Sequence, residues 1–268
     1  MIKGINKVIY LLLITSISSC YTYQTAEIRN AKVDEIVMFC GNPGVGKSTL
    51  CNSIFQQALF ESGLSFSTGL TVVKQERIYE GKLYVDTPGL EDIEKQDQAA
   101  REIEAALKHN NNYKIIFVAK LDSGRIRTND LLTINRICEA IKNPFEYGIV
   151  FNQVSKRVIE KMGQKQALEY LTKSTRLVKK PAAVVVLEED EALKDEDNKY
   201  FQVNDGNRRK LLEFINNLKA NKIEEKKVEK IDTRDMEVKI NEMRSNFEEK
   251  HRNTLEERRR QKDNCAII

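Results

Sequence analysis

The run GNPGVGKS, Gly41 to Ser48, stands directly after the apolar stretch IVMFC and directly before a segment carrying Leu50, Ile54 and Leu59. It meets the pattern GxxxxGK(S/T) at every fixed position, in the order strand, loop, helix that a phosphate site requires. The glycines let the backbone bend until several amides converge on an anion. The start of the following helix adds a positive dipole end, and Lys47 brings a full charge to the terminal phosphates. Gly41, Asn42, Pro43, Gly44, Val45, Gly46, Lys47, Ser48 and Thr49 are therefore expected to hold nucleotide phosphates, with Ser48 as a magnesium ligand.

The rest of the chain alternates in a way that extends this unit. Apolar runs of buried-strand type, IIFVA, YGIVF and AVVVL, are separated by segments with apolar residues at helical spacing, such as Ile103 with Leu107, and Leu131, Ile134, Ile137 and Ile141. TVVKQERIYE and KLYVD, joined at Glu80-Gly81, read as a hairpin. The expected fold is α/β, a P-loop NTPase with a mainly parallel sheet flanked by helices on both faces. Its domain spans 33–219, closed by the helix RRKLLEFINNL. Residues 220–264, without Pro or Gly and dense in mixed charge, are expected to form a charged helical tail, its apolar positions too sparse for a stable coiled-coil seam. Charged residues make up 31% of the chain but leave a net charge of only +4, which argues against a nucleic-acid partner. Five cysteines without CxxC pairs indicate neither a disulfide framework nor a zinc site, and only two histidines without clustered ligands argue against a Ser-His-Asp triad. Cys40, Cys51 and Cys138 sit among apolar residues and are expected to be buried thiols.

Asp86-Thr87-Pro88-Gly89 follows the apolar run LYV. Asp86 thus ends a strand where it can hold magnesium through water, and Gly89 can offer its amide to a γ-phosphate. Between the two motifs, ESGLSFSTGLT is polar and contains glycine, and Thr71 is the candidate to close over metal and γ-phosphate, with Thr68 as its rival.

These residues resemble the AIG-type GTPases, relatives of the septins and of the chloroplast import-receptor GTPases. GNPGVGKSTLCNSI, the spacing from Lys47 to Thr71, LYVDTPGL, and the box SGRIRTNDLLTINRI after IIFVAK are similar to that family in order and position, over roughly Glu35 to Lys219. The resemblance implies binding of GTP and GDP with Mg2+, a homodimer or oligomer formed across the nucleotide face, and work at a membrane surface. Leu90 stands after DTPG where many GTPases carry a water-orienting glutamine, so intrinsic hydrolysis is expected to be slow. Arg125 and Arg127 are candidates to stabilise transition-state charge from a partner subunit, or else solvated loop arginines. At the base-reading position stand Asn152, Gln153, Val154 and Ser155. The asparagine of Asn-Lys-x-Asp is kept, but a serine hydroxyl cannot accept the bidentate pair that a carboxylate accepts from guanine. Glu188-Glu189-Asp190 is either a compensating carboxylate source or a solvated loop.

The two ends point in different directions. Residues 1–20 read as a signal peptide, or as a lipoprotein signal with Cys20 as the lipidated residue; an uncleaved amphiphilic anchor is the alternative. Residues 265–268, CAII, form a candidate prenylation box at Cys265 with RRRQK upstream. The first implies export and the second the cytosolic face of a eukaryotic membrane. The expected activity is hydrolysis of GTP to GDP and phosphate by a magnesium-dependent switch. A membrane scaffold without significant turnover, and an ATP-binding or nucleotide-promiscuous protein, are the alternatives.

Overall fold

The computed structural model describes residues 33–61, 73–92, 95–122, 124–161, 177–190 and 205–234, together with single residues at 169, 238, 242 and 245. Its centre is one sheet in the order β2-β3-β1-β4-β7-β8, from β1 (Glu35–Cys40), β2 (Gln75–Tyr79), β3 (Lys82–Asp86), β4 (Asn112–Ala119), β7 (Tyr147–Val154) and β8 (Ala183–Glu188). The contacts β3/β1, β1/β4, β4/β7 and β7/β8 are parallel, and β2/β3 is antiparallel. Two short strands, β5 (Leu121–Asp122) and β6 (Arg125–Ile126), pair with each other beyond the end of β4.

The continuous apolar runs are explained by burial on both faces. On one face Ile36, Met38 and Cys40 of β1 join Ile115 and Phe117 of β4 beneath α2 (Gln96–Leu107) and α3 (Thr128–Ala140). On the other, Val37 and Phe39 join Ile116 and Val118 beneath α1 (Lys47–Phe55) and α4 (Asp205–Asn217). Full burial of side chains of this size stabilises by about 1.5–3 kcal/mol each, so the two-faced core is the dominant favourable contribution. The β2/β3 hairpin turns at Glu80 and Gly81, with φ of 49° and 75°. Positive φ at both central residues is the turn geometry that matches strand twist.

The segment after α4 departs from the expected helix. Residues Asn221–Lys222 form β9, antiparallel to β4 at Asn112 and Tyr113. A single 3-10 turn, Glu225–Lys227, follows. Ile223, Val228 and Ile231 are buried in the α2/α3 face of the core. Main-chain hydrogen bonds tie this stretch to the ends of α2 and α3: Glu229 N–H donates to the Ala140 carbonyl at 2.8 Å, and Ile231 N–H donates to Glu104 Oε1 at 2.8 Å. The physical reason is that three spaced apolar side chains and a strand pairing outweigh local helix propensity. The domain therefore continues through Ile231 instead of ending near Lys219. The later part of the 220–264 stretch lies largely outside the described residues, as do residues 1–20 and 265–268. Among the described residues no helix is long and apolar enough to cross a membrane.

Candidate functional site

Parallel strands β1, β3, β4, β7 and β8 bring their C-terminal ends to one edge of the sheet, and every motif described below lies on the loops leaving that edge. From β1 the chain enters the glycine loop, and α1 starts at Lys47 with Gly46 as its cap residue at φ 93°. No side chain caps this helix, so the amides of its first turn remain directed at the site. Glycine is required at position 46 for two reasons. A side chain is strained at that φ, and its Cβ would land on the amide of Asn152.

Lys47 is 6% exposed and donates to the carbonyls of Gly41 at 2.9 Å and Asn42 at 3.0 Å. Burial pulls its pKa down, against the pull of the nearby Asp86 charge. Ser48 Oγ donates to Asp86 Oδ2 at 2.6 Å. Asp86 is wholly buried, its Oδ1 has no hydrogen-bond partner, and burial raises its pKa to about 6 in spite of Lys47 and the Ser48 hydroxyl. A buried carboxylate oxygen left open beside a hydroxyl and an ammonium is a fitting donor for a hydrated divalent cation shared with phosphate oxygens. Among the described residues no cluster of three or more His, Cys, Asp or Glu could bind a metal by itself. Magnesium here would be held by the hydroxyl and carboxylate together with the ligand's own oxygens.

Thr87 locks the DTPG turn onto β1, its N–H and Oγ both donating to the Phe39 carbonyl at 3.2 and 2.9 Å. Gly89 then lies against Pro43 and the Asn42 main chain, where any Cβ would collide. Leu90, the next residue, is fully buried in the core and presents no side chain to the site.

At the end of β7, Asn152 Nδ2 donates to the Val45 carbonyl at 2.9 Å in a buried contact. This residue braces the glycine loop. Gln153, expected beside it in the base pocket, is exposed at φ 56°. Ser155 accepts from the N–H groups of Val158 and Ile159, opening a helical stretch at 156–161. Val154 pairs with Glu188, and Glu189 N–H donates to the Val154 carbonyl at 3.0 Å, so the acidic run begins beside the stretch Asn152 to Ser155.

The two arginines of the box separate. Arg125 is exposed on β6, and Arg127, half-buried, is held by Asp130 through Nε at 3.1 Å and Nη2 at 3.3 Å. Arg127 is thus committed within its own subunit. Sequence reasoning missed Asp130 and Thr133, which hold the side chain of Asn42; an acid three residues after Arg127 in the first turn of α3 was the available signal. Thr71, Thr68, Cys20 and Cys265 lie outside the described residues. Cys40, Cys51 and Cys138 are free and buried, and burial pushes the Cys40 thiol up to about 12, leaving it unreactive.

Several solved structures are similar to this chain at low identity. NFeoB from S. thermophilus, bound to GDP.AlF4- and K+, is 14% identical with a TM-score of 0.44, covering 74% of this chain and 65% of that one. The chain thus spans about two thirds of the length of that relative. Toc33 from Arabidopsis thaliana, in complex with GDP and Mg2+, is 19% identical over 74% of this chain and 91% of that chain, with a TM-score of 0.44. A structure of the chloroplast translocon components atToc33 and psToc159, whose dimerization is important for GTPase activity, is 19% identical over 71% and 85%, with a TM-score of 0.49. No curated protein matches the chain. Residues 36–153 match the family model described as 50S ribosome-binding GTPase, a span from β1 through Asn152 that takes in the glycine loop, the Asp86 strand end and the Val45 brace. The chain carries a P-loop GTPase domain.

Proposed function

We propose that this chain is a magnesium-dependent guanine-nucleotide switch that hydrolyses GTP slowly and is completed by a second subunit across its nucleotide face. The observation that carries the reading is the trio of buried Lys47, half-buried Ser48 and buried Asp86, with Asp86 Oδ1 open. Ser48 and, through water, Asp86 would hold magnesium, which when bound neutralises charge on the phosphate oxygens; Thr71 is the candidate third ligand. Lys47 leaves the loop carbonyls of Gly41 and Asn42 for the phosphates, and the Gly89 amide holds the terminal phosphoryl group. With Leu90 in the core, no side chain at that position orients the attacking water. Slow turnover in the isolated subunit follows. Arg125, exposed on β6, is the residue to supply charge to a partner's site.

Selection of guanine rests on a departure from the usual pattern. Asn152 gives one amide hydrogen to the glycine loop, and Ser155 has no carboxylate, so the acid for the guanine edge is drawn from Glu188-Glu189-Asp190 at the end of β8. Lipid attachment at Cys20 or Cys265 would bring the domain to a membrane. Single-turnover release of phosphate from GTP, followed across protein concentrations, tests the enzymatic reading. The rate should rise with concentration in the wild type and stay at its low-concentration value in Arg125→Ala. Absence of release at every concentration would leave a binding scaffold in place of an enzyme.

A further inference from the structure

The second residue of a glycine loop is free to vary in the pattern GxxxxGK(S/T). Here it is Asn42, fully buried, and its two halves do different things. Its main-chain carbonyl accepts from Lys47 Nζ at 3.0 Å. Its side chain leaves the loop and enters α3, where Nδ2 donates to Asp130 Oδ1 at 2.9 Å and Oδ1 accepts from Thr133 Oγ at 2.7 Å. The amide has only one sensible orientation, because a carboxylate can accept but not donate.

Asp130 is 1% exposed, and its two oxygens have four donors. Oδ1 accepts from Asn42 Nδ2 and from Arg127 Nη2 at 3.3 Å; Oδ2 accepts from Arg127 Nε at 3.1 Å and from the Lys120 N–H at 3.1 Å. Four donors fill the acceptor capacity of a carboxylate, so its position is set by α3, the Arg127 side chain and the end of β4 together. The adjacent Asn129 donates to Glu91, two residues beyond Gly89. Gly89 itself leans on Asn42 and Pro43. The first turn of α3 therefore touches both loops that would hold the phosphates.

We propose that Asp130 and Thr133 are positioning residues of the phosphate loop, acting through Asn42. By fixing the Asn42 amide they fix the carbonyl on which Lys47 rests, and so the place from which Lys47 reaches the phosphates. This makes the α3 box a structural part of nucleotide affinity. The inference rests on the guanine-nucleotide reading above.

The test is a double-mutant cycle read as dissociation of fluorescent GDP, with thermal unfolding of the nucleotide-free protein recorded for each variant. Asn42→Ala and Asp130→Ala should each speed release about tenfold, since both break the buried charge-assisted hydrogen bond between these two side chains through which the loop is held. The double variant should release GDP no faster than the quicker single variant, because both remove one chain of contacts. Thr133→Ser should keep the wild-type rate and Thr133→Val should approach Asn42→Ala; this pair decides the matter if Asp130→Ala does not fold. Effects that multiply to about a hundredfold, or release rates unchanged while only the melting temperature falls, overturn the proposal. Wild-type protein that binds no fluorescent GDP defeats the nucleotide reading and this inference with it, whereas binding with multiplying losses defeats the inference alone.

Discussion

Replacing Asp86 with asparagine isolates the energetic cost of a buried charge at the proposed magnesium site. Asparagine keeps the volume and can still accept from Ser48, but carries no charge. Burial raises the Asp86 pKa from 3.8 to about 6 in the folded protein. A difference of that size corresponds to about 3 kcal/mol. The sign follows from the direction: the folded state holds the proton more tightly than the unfolded state does. The stability that protonated Asp86 contributes is therefore present below about pH 4 and is lost as pH rises through about 6. About half of it is gone by pH 5 and essentially all of it by pH 8. The assay is urea unfolding of wild type and Asp86→Asn without nucleotide and with chelator, at intervals from pH 5 to 8. The stability of wild type relative to the variant should fall by about 1.5 kcal/mol over that range. Magnesium with GDP should restore the wild type above pH 6 and leave the variant little changed. A relative stability that is flat or rises with pH would refute the reasoning, since it would mean that Lys47 and Ser48 already compensate the buried charge.

Gly46→Ala should abolish nucleotide binding, because it strains the backbone by about 1–2 kcal/mol and drives a methyl group into Asn152; isothermal titration with GDP measures the loss, and wild-type affinity would contradict it. Asn152→Ala removes the buried bond to the Val45 carbonyl and should weaken GDP binding by about 1–1.5 kcal/mol, roughly tenfold, without changing the preference for guanine over adenine. Ile223→Ala should lower the unfolding free energy by about 2–5 kcal/mol, as expected for a fully buried core residue and not for a tail; a change below about 0.5 kcal/mol would place this residue outside the domain.

The parts of this molecule that were legible in its sequence are those set by local chemistry. GNPGVGKS needs its glycines and its Lys-Ser pair whatever surrounds it, and IVMFC, IIFVA, YGIVF and AVVVL are apolar throughout because both faces are covered. The turn at Glu80-Gly81 was legible for the same reason, as glycine follows directly on a hairpin pattern. What escaped depends on partners distant in the chain. That Asn152 braces the glycine loop emerges only when β7 is set beside the loop and its amide meets Val45. Arg127 reads as an available cation until α3 turns Asp130 back toward it, 3.1 Å away. Ile223, Val228 and Ile231 are too widely spaced for an amphipathic stripe, and their burial depends on α2 and α3 being in place to receive them.

The central claim is that this loop holds a guanine nucleotide although the usual base-reading aspartate is replaced by Ser155. Its most direct test is competition of GDP, ADP and xanthosine diphosphate against fluorescent GDP on the wild-type protein with magnesium. The account predicts displacement by GDP at concentrations well below those needed of ADP and of xanthosine diphosphate, with the GDP preference reduced when Glu188, Glu189 and Asp190 are replaced by their amides. Equal or tighter binding of ADP would contradict it.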